Sequence, residues 1–164
     1  MPDLPDLIPL DEARRRVLDG IEALPPVSVD LADAAGLALA DPIRSALTLP
    51  PWPNSAMDGF AVRAADVAGA AVDRPVVLRV LGEVPAGRAP DHEVGPGTAL
   101  RIMTGAMMPA GADTVVPVED TDAPAGASEV PAAVAIRAPT RSGGNVRLPG
   151  SDVAAGAPLL RAWR

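Results

Sequence analysis

Apolar residues near the start of the chain recur at the spacing of an α-helix. From Pro9 to Leu24 they fall at intervals of three or four residues, which predicts an amphipathic helix with one apolar face. Asp11 and Glu12 lie in the first predicted turn, where carboxylates favour a helix N-terminus. Pro25-Pro26 then ends the helix. The apolar face consists of Leu10, Ala13, Val17, Ile21 and Leu24.

The segment that follows predicts shorter elements. Val27–Val29 is typical of a strand, and Leu37–Ile43 predicts a second extended segment. Between them, Leu31–Ala35 predicts a small alanine-rich helix that ends at Gly36. We therefore expect an N-terminal region in which helical pattern alternates with short extended pieces.

Short apolar runs separated by turn residues dominate the middle of the chain, with one helical turn predicted at Arg63–Val67. The pattern predicts an α+β fold that is mostly β. In this prediction a β-rich domain, residues 49–139, is inserted into a second unit made of residues 1–48 and 140–164. The predicted strands are Phe60–Val62, Pro75–Leu81, Asp113–Val118 and Ala132–Ile136.

Composition narrows the class of protein. The 164 residues are 48% hydrophobic and 21% charged, a globular balance, and their net charge of −7 disfavours nucleic acid as a partner. The chain has no cysteine and a single histidine, His92, so the sequence predicts no metal site of its own. The N-terminus lacks the pattern of a signal peptide, and no apolar run is long enough to span a membrane. We expect a soluble cytoplasmic protein.

The signature stretch, residues 50–62, reads PPWPNSAMDGFAV. Its prolines make the approach stiff, and the side chains of Asn54 and Ser55 can turn the chain by bonding to nearby backbone groups. Asp58-Gly59 is a second turn signal, placed immediately before a predicted strand. Two interpretations of Asp58 follow: a carboxylate that acts on a ligand, or a side chain that caps the turn.

A second candidate lies where an apolar run ends at Thr104-Gly105. Glycine permits a backbone geometry that presents the Thr104 hydroxyl and nearby N–H groups outward, an arrangement that suits an oxyanion. The alternative is an ordinary junction between a strand and a turn, capped by Thr104. The local pattern does not decide between the two.

Three strings, taken together, resemble a known family. They are LPPWPNSAMDGFAV at residues 49–62, RIMTGAMMPAGADTVVPVED at residues 101–120, and RSGGNVRLPGSDVAAGAPLL at residues 141–160. Their order and spacing are similar to those of the molybdopterin molybdotransferases, the family that includes the gephyrin E domain. The resemblance runs from about Leu10 to Leu160, and only the N-terminal portion of the family pattern is present.

The resemblance implies both a fold and a reaction. It implies a β-barrel-like domain inserted into an elongated arm domain, and a homodimer that forms along the arm. The implied reaction inserts molybdate into adenylylated molybdopterin and releases AMP, in a step assisted by Mg²⁺. The family's nucleotide-handling domain would follow this segment and would bind most of the Mg²⁺, but its Gly-Gly-x-Ser-x-Gly loop does not occur here. Leu37 stands where the family has an arginine.

The resemblance also implies site residues. Asp58, Thr104 and Asp152 match the family's acidic, hydroxyl and acidic positions in three successive motifs and are the implied catalytic residues. A guanidinium and a hydroxyl are groups that replace the water around a divalent oxyanion. The implied substrate-binding residues are Ser55, Glu119, Asn145 and Arg147.

Two functions remain open at this point. The first is the N-terminal part of a molybdotransferase, which we expect to be inactive without the nucleotide domain. The second is a truncated and catalytically silent module for dimerisation or binding. A proline-rich interaction segment is disfavoured, because the prolines are spread among apolar strands. A homodimer of limited stability is expected in either case, with a small-molecule substrate and with neither nucleic acid nor membrane as partner.

Overall fold

The computed structural model describes residues 7–22, 24–124, 126 and 129–162. Contacts divide the described residues into two compact units, one within residues 1–41 and 162–164 and the other within residues 42–161. The predicted division into residues 1–48 with 140–164 and residues 49–139 stays a prediction. No described helix is long and apolar enough to cross a bilayer.

The first unit contains helix α1, Leu10–Leu18, which is shorter than predicted. The helix ends because Asp19 is extended and Gly20 adopts a left-handed conformation with φ of 85°. The apolar spacing continues to Leu24, but the helical conformation of the backbone ends at Leu18. None of the α1 residues is buried, so the amphipathic packing of this helix stays a prediction.

Two further expectations for this unit were wrong. Val27–Val29 forms no strand, since these residues pair with no neighbouring strand among the described residues. The predicted helix Leu31–Ala35 is a single 3-10 turn, Leu31–Asp33, because the chain reaches Gly36 with φ of 83° before a full α-helical turn can form. Of the extended segment Leu37–Ile43, the last residue alone lies in a strand.

The second unit holds the strands and one short helix, α2, Ala64–Val67. Its main feature is a five-stranded sheet, curled into a half-barrel, with the strand order β6-β3-β5-β4-β7. Strands β4 and β5 are parallel, and the other neighbours are antiparallel. The strands are β1 Ile43–Arg44, β2 Asn54–Ser55, β3 Gly59–Val62, β4 Val76–Val84, β5 Thr98–Ile102, β6 Thr114–Pro117, β7 Ala133–Ile136, β8 Val146–Arg147 and β9 Pro158–Leu160.

Two small antiparallel pairs accompany the sheet. Strand β1 pairs with β9, and β2 pairs with β8. The second pair places Asn54 opposite Arg147 and Ser55 opposite Val146. It therefore joins the signature stretch to a part of the chain that lies about ninety residues later in sequence.

Strands β3 and β5 are buried on both faces, since every residue of each is buried and successive side chains point to opposite faces. On one face, Phe60 packs in a cluster with Leu78 and Ile136. On the other face, Ala61 packs in a cluster with Leu100 and Ile102. This double burial explains why the predicted strands appear as continuous apolar runs with little polar alternation.

The predictions for the middle of the chain are confirmed. Strands occur at each of the four predicted places, with bounds that differ by at most three residues, and the predicted helical turn at Arg63–Val67 corresponds to α2. The fold is mostly β with few helices, as the pattern predicted. In the core of the unit, the signature stretch packs against the segment that follows β5.

Candidate functional site

The turn before β3 is built by a buried hydroxyl. Ser55 is completely buried, and its Oγ donates to the Met57 carbonyl oxygen at 2.6 Å while accepting from the Met57 N–H at 3.2 Å. These bonds hold the chain in a tight serine turn immediately before Asp58. The structure therefore places Ser55 beneath the surface as a residue that shapes the loop, with its hydroxyl engaged by the backbone.

Asp58 and Thr104 are brought together, although 46 residues separate them in sequence. The Asp58 Oδ1 atom accepts from both the backbone N–H and the Oγ1 hydroxyl of Thr104, each at 2.7 Å. Both residues are exposed to solvent. Their contact joins two of the three sequence motifs, and the Asp58 Oδ2 atom makes no hydrogen bond to a described residue.

The Asp58 carboxyl is held in its ionised form. The backbone and hydroxyl bonds from Thr104 lower the pKa of Asp58 below its ordinary value of 3.8, and the charge of Arg101 adds to this effect. A general base works best with a pKa near the working pH. The lowered pKa therefore suits a permanent anion that orients a ligand, a water or a cation, more than a group that abstracts protons.

The three motifs meet around the signature stretch through backbone bonds. The Ser55 N–H donates to the Ala106 carbonyl oxygen at 3.0 Å, and the Gly105 N–H donates to the Ser55 carbonyl oxygen at 2.9 Å. On the other side, the Ala56 N–H donates to the Asn145 carbonyl oxygen at 2.9 Å. The signature stretch thus lies between the segment after β5 and the segment that leads into β8.

A second polar group lies on the segment that includes β8. Arg147 donates through Nη2 to both carboxylate oxygens of Asp152, so the two predicted site residues form an exposed ion pair. Asn145 adopts a left-handed conformation with φ of 56°, and its Nδ2 donates to the Val115 carbonyl oxygen at 2.9 Å. Asn145 therefore fixes the loop to β6, while Arg147 and Asp152 face solvent.

Glu119 lies in a 3-10 turn, Val118–Asp120, and is exposed. This turn is attached to the site because the Val118 N–H donates to the Asp58 carbonyl oxygen at 3.1 Å. The side chain of Glu119 forms no hydrogen bond or ion pair with the other predicted site residues in the described part of the chain. The structure thus brings together Asp58 with Thr104 and Arg147 with Asp152, and it leaves the substrate-binding role of Glu119 a prediction.

Sequence reasoning missed Arg101. This residue lies on β5 and is 7% exposed. Among the residues that the structure describes, it is the only charged one that is buried. Its Nε lies 3.6 Å from Glu83 Oε1, and its Nη2 donates to the Gly126 carbonyl oxygen. A signal was present in the sequence, because a charged residue between Leu100 and Ile102 stands in a strand whose two faces are both apolar.

Asp58 and Arg101 line one small pocket. Its cavity volume is about 20 Å³, which has room for a single water molecule. The pocket's apolar lining includes Phe60, Met103 and Val118. It is much too small for a cofactor or for a nucleotide, so any larger ligand would lie on the exposed side of the Asp58–Thr104 contact.

The donor set does not fit a resident metal. In residues 7–22, 24–124, 126 and 129–162, no group of three or more His, Asp or Glu side chains is placed to hold a metal ion. The exposed Asp58 carboxylate has its Oδ2 atom available toward a cation that other groups hold.

Comparison with known proteins agrees with this architecture. A protein-family profile described as "MoeA N-terminal region (domain I and II)" matches residues 8–164. The chain belongs to this family. Molybdopterin molybdenumtransferase 2 of Mycobacterium tuberculosis is 44% identical over 151 residues, which are 92% of this chain and 36% of the relative. A molybdopterin molybdenumtransferase of Nostoc sp. is 53% identical over 93 residues, 57% of this chain and 21% of the relative.

A solved structure of the family has the same fold. The molybdopterin biosynthesis MoeA protein from Pyrococcus horikoshii OT3 superposes with a TM-score of 0.82 at 33% identity, covering 96% of this chain and 40% of the other. The chain therefore matches between about a fifth and two fifths of the length of these relatives. The identification of the N-terminal portion of a molybdotransferase family, made from three sequence strings, is confirmed.

Proposed function

We propose that this chain forms one wall of the active site of a molybdopterin molybdotransferase. The reaction inserts molybdate into adenylylated molybdopterin and releases AMP, in cytoplasmic molybdenum cofactor biosynthesis. The observation that carries the proposal is the contact of Asp58 with Thr104, because it turns two separate family motifs into one exposed anionic site. Relatives named molybdopterin molybdenumtransferase support the reaction class.

In this proposal Asp58, Thr104 and Asp152 are the catalytic residues, and Arg147 binds an anionic part of the substrate. The ionised Asp58 carboxylate orients a water or a donor group of the substrate through Oδ2, since Oδ1 is occupied by Thr104. Arg147 exchanges its Asp152 partner for the more highly charged oxyanion. Ser55, Asn145 and Glu119 are the other substrate-binding residues, and Ser55 and Asn145 also shape the loops around the site.

The remaining parts of the proposal concern regions outside the site. Mg²⁺ and most phosphate contacts come from the part of the relatives that this chain does not cover. Residues 1–48 and 140–164 form the elongated arm along which two copies pair. The second candidate function is a catalytically silent module for dimerisation or binding, which the exposed apolar side chains of α1 favour.

Complementation separates the two functions. Residues 8–162 of this chain would replace the matching segment of the M. tuberculosis relative, and the chimera would be expressed in a strain that lacks molybdopterin molybdenumtransferase. We expect molybdoenzyme activity to return, and to be lost again when the chimera carries Asp58→Asn. A chimera that folds and dimerises but restores no activity would support the silent module.

A further inference from the structure

Arg101 occupies an unusual position in the second unit. A buried guanidinium loses much of its hydration and is retained at low cost when its surroundings supply charge and hydrogen-bond partners. At 7% exposure Arg101 meets this condition through Glu83 and the Gly126 carbonyl oxygen, among other contacts. A packed apolar residue would fill the same place in a sheet whose neighbours are apolar, so the charge calls for a further explanation.

The explanation lies in what the guanidinium shares with Asp58. Of the described residues that line the small pocket, Asp58 and Arg101 are those that carry a charge. The pocket has room for about one water molecule, and Arg101 is buried beside it, so solvent screens its charge less than it would screen that of an exposed arginine. In the pairing of β5 with β3, Arg101 lies opposite Phe60. Phe60 is two residues after Asp58 in the sequence.

The backbone makes this arrangement rigid. Strand β5 lies inside the sheet, paired with β3 on one side and with β4 on the other. The Glu83 carboxylate on β4 then fixes the guanidinium from the side away from β3. Strands β4 and β5 therefore hold the positive charge in place, while Asp58 lies in the turn that precedes β3.

We propose that Arg101 is a positioning residue for Asp58. Held by Glu83, its guanidinium supplies a fixed positive charge that balances the Asp58 carboxylate in their shared pocket and so stabilises the anion on which the site depends. Arg101 touches no substrate in this proposal. The use of Arg101 in the reaction rests on the proposed function. The electrostatic coupling between Arg101 and Asp58 does not, because it is a property of the folded chain.

The test is an NMR titration of the Asp58 side-chain carboxyl carbon in the intact 164-residue chain. Arg101→Met removes the charge and keeps much of the volume, so the pKa of Asp58 is expected to rise relative to the unsubstituted chain. Arg101→Lys is expected to retain most of the effect. Glu83→Gln removes a negative charge that partly neutralises Arg101, so it is expected to move the pKa of Asp58 in the opposite direction.

Arg79→Met is the matched control, because Arg79 is an exposed arginine on the neighbouring strand β4. It is expected to leave the Asp58 titration unchanged. If Arg101→Met does not fold, the opposite shift in Glu83→Gln decides the question. An Asp58 pKa that is the same in every folded variant, or that moves as much in Arg79→Met, overturns the proposal. The titration involves no turnover, so its outcome is independent of the complementation experiment.

Discussion

At the scale of single residues, the Thr104 hydroxyl is the group whose removal has the clearest expected effect. Thr104→Val removes the Oγ1 bond to Asp58 Oδ1 and keeps the backbone N–H bond. The pKa of Asp58 is then expected to rise toward 3.8, while Thr104→Ser keeps it low. Carboxyl-carbon NMR measures both, and equal values in the Val and Ser variants would contradict the assigned hydrogen bond.

The same residue pair predicts how stability depends on acid. Because folding lowers the pKa of Asp58, its ionised form stabilises the folded state above the unfolded pKa of about 3.8, and this contribution is lost as the pH falls through the folded value. Asp58→Asn cannot titrate, so the variant should lose this part of the acid dependence. Urea unfolding between pH 5 and pH 2 measures the difference, and parallel curves for the two proteins would contradict it.

The Arg147–Asp152 pair is expected to contribute to function more than to stability. Both side chains are substantially exposed, at 40% and 55%, and such pairs contribute about 0–1 kcal/mol. Arg147→Met should therefore change the free energy of unfolding by less than about 1 kcal/mol while reducing AMP release by the chimera. A larger loss of stability in urea unfolding would show that this ion pair is mainly structural.

At the scale of elements, Gly59 determines how closely β3 and β6 approach. A Cβ atom at this position would lie 2.0 Å from the Val116 carbonyl oxygen, which belongs to the neighbouring backbone and cannot rotate away. Gly59→Ala is expected to destabilise the chain by about 3 kcal/mol. Gly69→Ala is the matched control, since nothing lies within 4 Å of its added Cβ. Equal midpoints of thermal unfolding would contradict the close approach.

Elements also show how much the sequence could predict. Strand β3 was predictable because the Asp58-Gly59 turn signal precedes an apolar run, and both faces of that run are buried. Helix α1 was predicted too long, since apolar spacing cannot reveal that Gly20 adopts a left-handed conformation. A similar conformational choice, at Gly36, reduces the predicted helix before it to a 3-10 turn.

The candidate site was predictable in its parts and less so in its geometry. The motifs named Asp58 and Thr104, but a contact across 46 residues depends on the sheet that joins them. The substrate-binding role of Ser55 stays a prediction, and the sequence could not show that its hydroxyl is buried and bonded to the Met57 backbone. Arg101 was missed because a strand prediction treats its residues as core, and burial of a charge becomes visible only in the folded chain.

At the scale of the whole molecule, association is the property to measure. The apolar residues of α1 are exposed, with Leu10 82% and Val17 70% accessible, and a second copy of the chain could cover such surface. We expect a dimer at micromolar concentration in sedimentation equilibrium, with fast hydrogen exchange in α1. A monomer whose α1 amides are strongly protected would contradict this, because the helix would then pack within its own chain.

The purified chain is also expected to release no AMP from adenylylated molybdopterin. It covers 36% of its M. tuberculosis relative, and the proposal places the phosphate and Mg²⁺ contacts in the remainder. A direct assay of the 164-residue protein with molybdate and Mg²⁺ measures this. Turnover by the chain alone would show that its own residues supply every group that the reaction requires.

The most direct test of the central claim is the rate of AMP release by the chimera with Asp58 or with Asn at this position. Asn keeps the size of the side chain and can still accept both Thr104 hydrogen bonds through Oδ1, while it removes the charge and replaces the Oδ2 acceptor with an amide donor. We predict a fall of about a hundredfold in the rate from a protein that still unfolds cooperatively in urea, and no fall in an Arg79→Met control. Equal rates for the Asp and Asn proteins would show that Asp58 caps a turn and takes no part in the chemistry.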